Sequence, residues 1–367
     1  MSVDAILVLN AGSSSLKFRV FKAESRLPLL ANGRITGIGT QPQFAVDGKT
    51  IRTFPDSLDQ ADALREILRW LEHNGQAWDI KAIGHRIVHG GEHFTAPVVL
   101  TDAVLEELAT LIPLVPLHQP HALSAVKTLA ALYPRPVQIG CFDTAFHAGQ
   151  APVFRHYALP KELREQGVRR YGFHGLSYEW IAYVLETRHP ALAKARVVAA
   201  HLGNGASLCA MQAGKSVDTT MGMTALDGLP MGTRCGSLDP GVPIYMMRQL
   251  GLSADEIDRI LSYESGLKGL SGISGDTREL VASDSPAARF AIDFFCMMTA
   301  QHVARMAVAL GGMDALVFTG GIGEHQSGIR ERILHHLGFL QPFTVLVVEA
   351  DEERMIVRHC LRLLQEL

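Results

Sequence analysis

The chemistry-bearing residues cluster first at the N-terminus, where VLNAGSSSLKFRVF (8–21) places Asn10, Gly12, Ser13, Ser15 and Lys17 between and within two apolar runs. A hairpin needs special turn chemistry at only two to five positions, so a six-residue polar stretch offers backbone N–H groups beyond those that close the turn. Surplus donors suit an anion: glycine and serines let a phosphate approach the main chain, hydroxyls add donors, and Lys17 adds charge. An ordinary polar hairpin is the alternative for this stretch alone. The plan recurs, however, in AAHLGNGASLCAMQ (199–212), with Gly203, Asn204, Gly205, Ala206 and Ser207 between two further runs. A third glycine-rich turn is expected at TGGIGEH (319–325), again after an apolar run, where a sugar or base could pass against bare backbone. Two phosphate loops, one in each half, would hold a nucleotide triphosphate from both sides.

Charged residues fall where an anion would need them. Arg86 ends an apolar run, and a guanidinium there needs an anionic partner; Asp143, after the run VQIGCF (137–142), is one candidate. A buried structural ion pair for Arg86 and a helix cap for Asp143 are the plainer readings. Arg234 lies in the glycine-rich MGTRCGSLDPG (231–241), and His174, between Gly172 and Gly175, precedes the helical pattern LSYEWIAYVL. A histidine ahead of a helix N-terminus can face an anion, although a structural role is commoner. His85, His89 and His93 have a spacing of four, but on a strand this sets them too far apart for one metal. Other nucleotide signatures fail. AGKS (213–216) lacks the earlier P-loop glycine, since that position is Cys209; GGIGEH lacks the third dinucleotide-fingerprint glycine, that position being Gln326; no protein-kinase H-R-D or D-F-G set occurs.

The elements that must carry these residues follow from patterning. Strands are expected at 5–9, 16–21, 82–88, 137–142, 197–202 and 315–320. A helix is expected over 58–73, with Ser57 and Gln60 as a capping box and Gly75 as its stop. Another should run from Pro286 to Leu310 between a Ser285 cap and Gly311-Gly312; being apolar nearly all round, it belongs in a core or an interface. A last helix spans about 352–364. The chain has 367 residues, which fits two domains, and a net charge of −3 with no long basic run argues against nucleic-acid or membrane-surface binding. Five scattered cysteines without C-x-x-C spacing, and an N-terminus without a basic leader, fit a soluble cytoplasmic protein.

The blocks LNAGSSSLKF, HRIVHGGEHF, FDTAFH, RRYGFHGLSYEWI, HLGNGASL, ALDGLPMGTRCGSLDPG and TGGIGEH resemble, in the same order, those of the acetokinase family, within the larger group of sugar kinases, actin and heat-shock chaperones. The resemblance runs from residue 6 to about 357. It implies an α/β fold of two duplicated actin/hexokinase-like (ribonuclease H-like) domains, with mixed sheets flanked by helices and an active-site cleft between them. The N-terminal domain would be 1–147, with 354–367 returning to it; 148–353 would bind nucleotide and form a homodimer. The implied reaction is reversible phosphoryl transfer from ATP to acetate, giving acetyl phosphate and ADP, with Mg2+, or Mn2+ in its place. Propionate or another short-chain acid is the alternative acceptor, and a non-enzymatic ATP-binding regulatory module is a different class of reading.

Residue by residue, the resemblance implies that Asn10, Ser13, Ser15 and Lys17 form the first phosphate loop and His201, Asn204 and Gly205 the second. Asp276 and Arg278 would border adenine and ribose opposite Gly321 and Gly323. Arg86, Asp143, His174 and Arg234 match the catalytic group, with Arg86 also touching the acceptor. Val88, Leu117 and Phe173 match the pocket for the acetate methyl. Asn10 and Glu352 match the metal-associated positions. Three departures stand out. His325 replaces the usual asparagine; Ala225 replaces a proline that some members carry on the pocket wall, implying room for propionate; and the segment between Glu324 and Glu352 is shorter than in relatives. A carboxylate acceptor arrives ionised at neutral pH, so the expected difficulty is charge repulsion rather than proton removal.

Overall fold

The computed structural model describes residues 2–12, 14–75, 77–116 and 118–367; Ser13 and Leu117 lie outside the described residues. The chain divides into two units, one of residues 1–145 with 351–367 and one of residues 146–350.

In the first unit, β1 (Val3–Ala11), β2 (Ser15–Lys22), β3 (Leu29–Thr36), β4 (Gln43–Val46), β5 (Lys49–Thr53), β6 (Trp78–Ile87), β7 (Val98–Val99) and β8 (Val137–Phe142) form one sheet in the order β5-β4-β3-β2-β1-β6-β8-β7. Strands β1, β6 and β8 are parallel neighbours, and β1 pairs antiparallel with β2. Such a strand is covered on both faces, so Ala5, Ile6, Leu7, Val8 and Leu9 are all buried. The helix Gln60–Asn74 presents Ala63, Leu64, Ile67 and Leu71 to that core. The helix Glu352–Glu366 packs across β1 and β6, and it comes close at Gly84. A Cβ there would lie 2.3 Å from Ile356 Cγ2 and 2.9 Å from Cys360 Sγ.

In the second unit, β9 (Arg196–Leu202), β10 (Ala206–Gln212), β11 (Lys215–Thr219), β12 (Ala315–Thr319) and β13 (Thr344–Val347) run in the order β11-β10-β9-β12-β13. The inner strand β9 is antiparallel to β10 and parallel to β12, which is parallel to β13. The core of the first sheet, β3-β2-β1-β6-β8, has the same order and directions, so the repeat seen between residues 8–21 and 199–212 extends to whole sheets. The helix Pro286–Leu310 has Ser285 Oγ accepting from the Ala287 N–H at 3.3 Å and ends at Gly311 with φ 66°. One face, including Ala288, Ile292, Phe295, Val303 and Met306, is core, while Phe290, Met297 and Val308 are exposed.

Three expectations need correction. Residues 58–73 start their helix at Gln60, and the cap is Asp59, whose carboxylate accepts from the Asp62 N–H at 2.8 Å; Gln60 instead donates Nε2–H to the Gly12 carbonyl at 2.7 Å. Strand β6 ends at Ile87, so His89 and His93 are not on it; His85 contacts Gln138, His89 Nδ1 accepts from the Gly91 N–H, and His93 pairs with Glu107. TGGIGEH is not an open turn: Gly320–His325 is a short helix set directly on β12. AGKS is the β10–β11 turn, with Ala213 and Gly214 both at positive φ, 50° and 71°, as a tight hairpin of this hand requires. Among the described residues no helix is long and apolar enough to cross a membrane.

Candidate active site

In both sheets several predicted residues lie at the carboxyl ends of the central parallel strands, where open α/β sheets bind ligands. Asn10 is near the end of β1, Arg86 near the end of β6, and Asp143 immediately follows β8. His201 is near the end of β9, next to Thr319 at the end of β12. Asn10 and His201 thus occupy equivalent places in the two halves.

The two glycine loops are tighter than six polar residues suggest. Because β1 continues to Ala11 and β2 starts at Ser15, the first connection is residues 12–14, and the Gly12 N–H is engaged by the Ser15 carbonyl at 2.9 Å. The second connection is 203–205, with the Gly203 N–H on the Gly205 carbonyl at 3.0 Å. Asn10 and Ser15 are therefore strand residues, and Asn10 is paired across the strands with exposed Lys17.

In the first unit, Arg86 is a two-sided clamp. Its Nε and Nη2 donate to the two oxygens of Asp143 at 3.0 and 2.7 Å, and Nη1 is 3.2 Å from Glu352. Asp143 is buried, and the Arg86 and Glu352 side chains keep only 20% and 14% of their surface exposed. Burial works against the guanidinium charge, but Asp143 and Glu352 outweigh it and hold Arg86 firmly protonated. Burial likewise raises the Glu352 pKa, Asp143 and Glu353 raise it further, and Arg86 and Lys17 oppose them. Glu352 begins the last helix behind the Asp351 cap, which accepts from the Arg354 N–H at 3.2 Å. Val88 follows β6 and is half-buried.

These oxygen donors fit Mg2+, which uses one or two carboxylates together with phosphate oxygens and water. Burial is the largest cause that raises the Glu352 pKa, and a cation near its carboxylate would favour the ionised form. Among the described residues, no group of three or more His, Cys, Asp or Glu side chains could hold an ion unaided.

In the second unit, His174 sits at φ 58° just before the helix Gly175–Arg188, its ring stacked on His201 with centroids 4.3 Å apart. Its loop is held from behind. His147 Nε2–H donates to the Phe173 carbonyl at 2.9 Å, while the Ser216 hydroxyl lies 2.8 Å from His147 Nδ1 and accepts from Gln150 at 2.8 Å. Gly172, at φ 79°, has no room for a side chain, because a Cβ would lie 2.7 Å from the His147 ring and 2.6 Å from Thr219. A Cβ on Gly205 would lie 3.2 Å from His174 Nε2 and 3.7 Å from Arg234 Nη1, so glycine lets this loop lie close to both side chains. Arg234 Nη1 also reaches the Ala225 carbonyl at 3.4 Å.

A cavity of about 350 Å³ in this unit brings together Asn204, Asp276, Arg278, Gly321 and His325. Gly323 lies outside that lining, packed near Phe318. Asp276 caps the helix Thr277–Ala282 and pairs with Arg278, whose hydrogen bonds lower the Asp276 pKa. Sequence reasoning missed Ser177 and Tyr178 beside the histidines, and it read Ser207 as part of the glycine-rich loop although it lies on β10. Individually, a serine or tyrosine in a helix or strand carries no motif.

A family model described as the acetokinase family matches residues 5–359. The chain is 46% identical over 391 aligned residues to an acetate kinase of Rhodopseudomonas palustris strain TIE-1, covering 98% of each chain. Among solved structures, a propionate kinase from Francisella tularensis superposes with a TM-score of 0.90 at 35% identity, covering 98% of this chain and 99% of that one. An acetate kinase from Porphyromonas gingivalis gives 0.88 at 34% identity, covering 98% and 100%. Sequence over nearly the full length and fold agree, and the chain belongs to the acetokinase family.

Proposed function

We propose that this enzyme transfers the γ-phosphoryl group of ATP directly to acetate, reversibly forming acetyl phosphate and ADP. The observation that carries the reading is Arg86 at a strand's carboxyl end, fixed by Asp143 and Glu352 so that its charge is permanent and its direction set. An acetate nucleophile needs no base; it needs relief from repulsion by the phosphates. Arg86 and Arg234 are assigned the charge of the transferring group, and His174 a donor to its oxygens. Asp143 orients Arg86 rather than accepting a proton. Asn204, Asp276, Arg278 and Gly321, which share one cavity, are assigned to the nucleoside, with Gly323 supporting the last of them. Asn10, Ser15, Lys17, His201 and Gly205 are assigned to the phosphates. Mg2+, associated with Asn10 and Glu352, would supply neutralising charge on the polyphosphate. Val88, Phe173 and Ala225 are assigned to the acyl pocket.

Trapping of acyl phosphate as hydroxamate, with MgATP and acetate, propionate or no acid, tests this reading. Acetate should give product with the highest kcat/KM and propionate a lower value. No product from either acid with well-folded protein would end the proposal, and a preference for propionate would shift it to the other acceptor, a reading that the 35%-identical propionate kinase structure supports.

We further propose a homodimer formed through the second unit. The helix Gly241–Gln249 exposes Val242, Ile244, Tyr245 and Met247, with Leu250 beside it, an apolar surface that a lone subunit would leave in water.

A further inference from the structure

The imidazole of His174 is held by more than its backbone. Its Nδ1 lies 2.8 Å from Ser207 Oγ, and that oxygen is also hydrogen-bonded to the Tyr178 hydroxyl. Ser207 and Tyr178 are fully buried, and His174 is 9% exposed. Ser207 lies on β10 directly opposite His201, and Tyr178 lies on the first turn of the helix that His174 precedes. Next to them Ser177 Oγ is 2.9 Å from His201 Nδ1, so both stacked rings are gripped at the same nitrogen by a hydroxyl.

The proton order in this chain follows from acidity. The phenol is the strongest hydroxyl donor present and a poor acceptor, whereas an unprotonated imidazole nitrogen is the best neutral acceptor. This order of acidity favours the Tyr178 hydroxyl as donor to Ser207 and the Ser207 hydroxyl as donor to Nδ1. A ring that accepts at Nδ1 carries its proton on Nε2, the nitrogen beside the Gly205 loop.

We propose that Ser207 and Tyr178 are positioning residues for His174, a hydroxyl relay that fixes the ring as the Nε2–H tautomer and aims that donor at the 203–205 loop. The inference rests on the phosphoryl-transfer reading, in which that loop meets phosphate oxygens. It adds that the donor is set by the fold before substrate arrives. A ring protonated instead on Nδ1 would present a lone pair to an anion, and a wrong tautomer is costly in other histidine-dependent sites.

The test uses the full-length protein labelled with 15N-histidine, with His174 assigned by comparison with His174→Gln. Wild type should show a protonated Nε2 and an unprotonated Nδ1 before any substrate is added. Ser207→Ala should lose this defined state and lower kcat by about ten-fold or more, with KM for ATP and acetate within about two-fold; Ser207→Thr, which keeps the hydroxyl, should restore both. Tyr178→Phe leaves the Ser207 hydroxyl unanchored and should give a smaller, few-fold loss of kcat with a less uniform tautomer. If Ser207→Ala does not fold, Tyr178→Phe decides: an unchanged tautomer and unchanged kcat overturn the proposal. A protonated Nδ1 in wild type, or Ser207→Ala retaining tautomer and turnover, overturns it as well. Absence of acyl phosphate formation by wild type would instead strike the functional reading, while the nitrogen spectra would still decide the relay.

Discussion

Arg86 joins the fold to the proposed chemistry. It bridges Asp143 and Glu352, so Arg86→Ala leaves two carboxylates close together without their shared cation. Turnover should fall by roughly 3 to 5 kcal/mol of transition-state stabilisation if the guanidinium touches the transferring group, and thermal stability should fall as well. Arg86→Lys keeps a charge without the fork and should recover stability better than kcat. For Arg234→Ala, turnover near wild type would remove that residue from the mechanism. His85 gives a pH prediction. Burial lowers its pKa from 6.5 to about 4, only partly offset by Gln138. The unfolded chain therefore takes up this proton first as pH falls, so its contribution is intact above about 6.5 and is lost towards 4, about 3 kcal/mol in all. Denaturant unfolding at stepped pH should show a shallower acid limb for His85→Gln than for wild type. The Arg86–Asp143 partnership was legible because a charge at the end of an apolar strand demands an opposite charge. Glu352 was legible only through resemblance, since its distance from Arg86 in sequence hides the contact.

At the scale of elements, long apolar strands and the helix with Ser-Pro at its start and Gly-Gly at its end were readable, because local chemistry and tertiary burial agree there. Strands β3 to β5 were not. In β3, Gly33 weakens the strand signal, yet it is needed where the Phe18 ring crosses: a Cβ would lie 2.3 Å from that ring. The tight 12–14 and 203–205 connections were also overestimated, since polar strand residues at Asn10 and Ser15 read as loop. Gly84 gives a sharp packing test. Gly84→Ala drives a methyl into Ile356 and Cys360 and should destabilise the protein by about 1 to 3 kcal/mol, measured by denaturant unfolding. An unchanged midpoint would mean that the last helix sits further from β6.

For the molecule as a whole, the repeated sheet order explains why residues distant in sequence share a chemical theme: each half ends its central strands with polar groups and turns tightly after the first. Sequence exposed the repeat at its loops, where side-chain types are constrained, but hid most of its strand order, which depends on long-range pairing. The exposed apolar helix Gly241–Gln249 predicts a dimer by sedimentation, and Tyr245→Asp should shift it towards monomer without loss of helical content. A monomeric wild type would refute that assembly. The central claim is that the fixed cations let a carboxylate attack phosphorus directly, with no phosphoenzyme. Transfer from ATP made chiral at the γ-phosphorus with oxygen isotopes measures this most directly: a single in-line displacement gives inverted acetyl phosphate, and retained configuration would contradict the account.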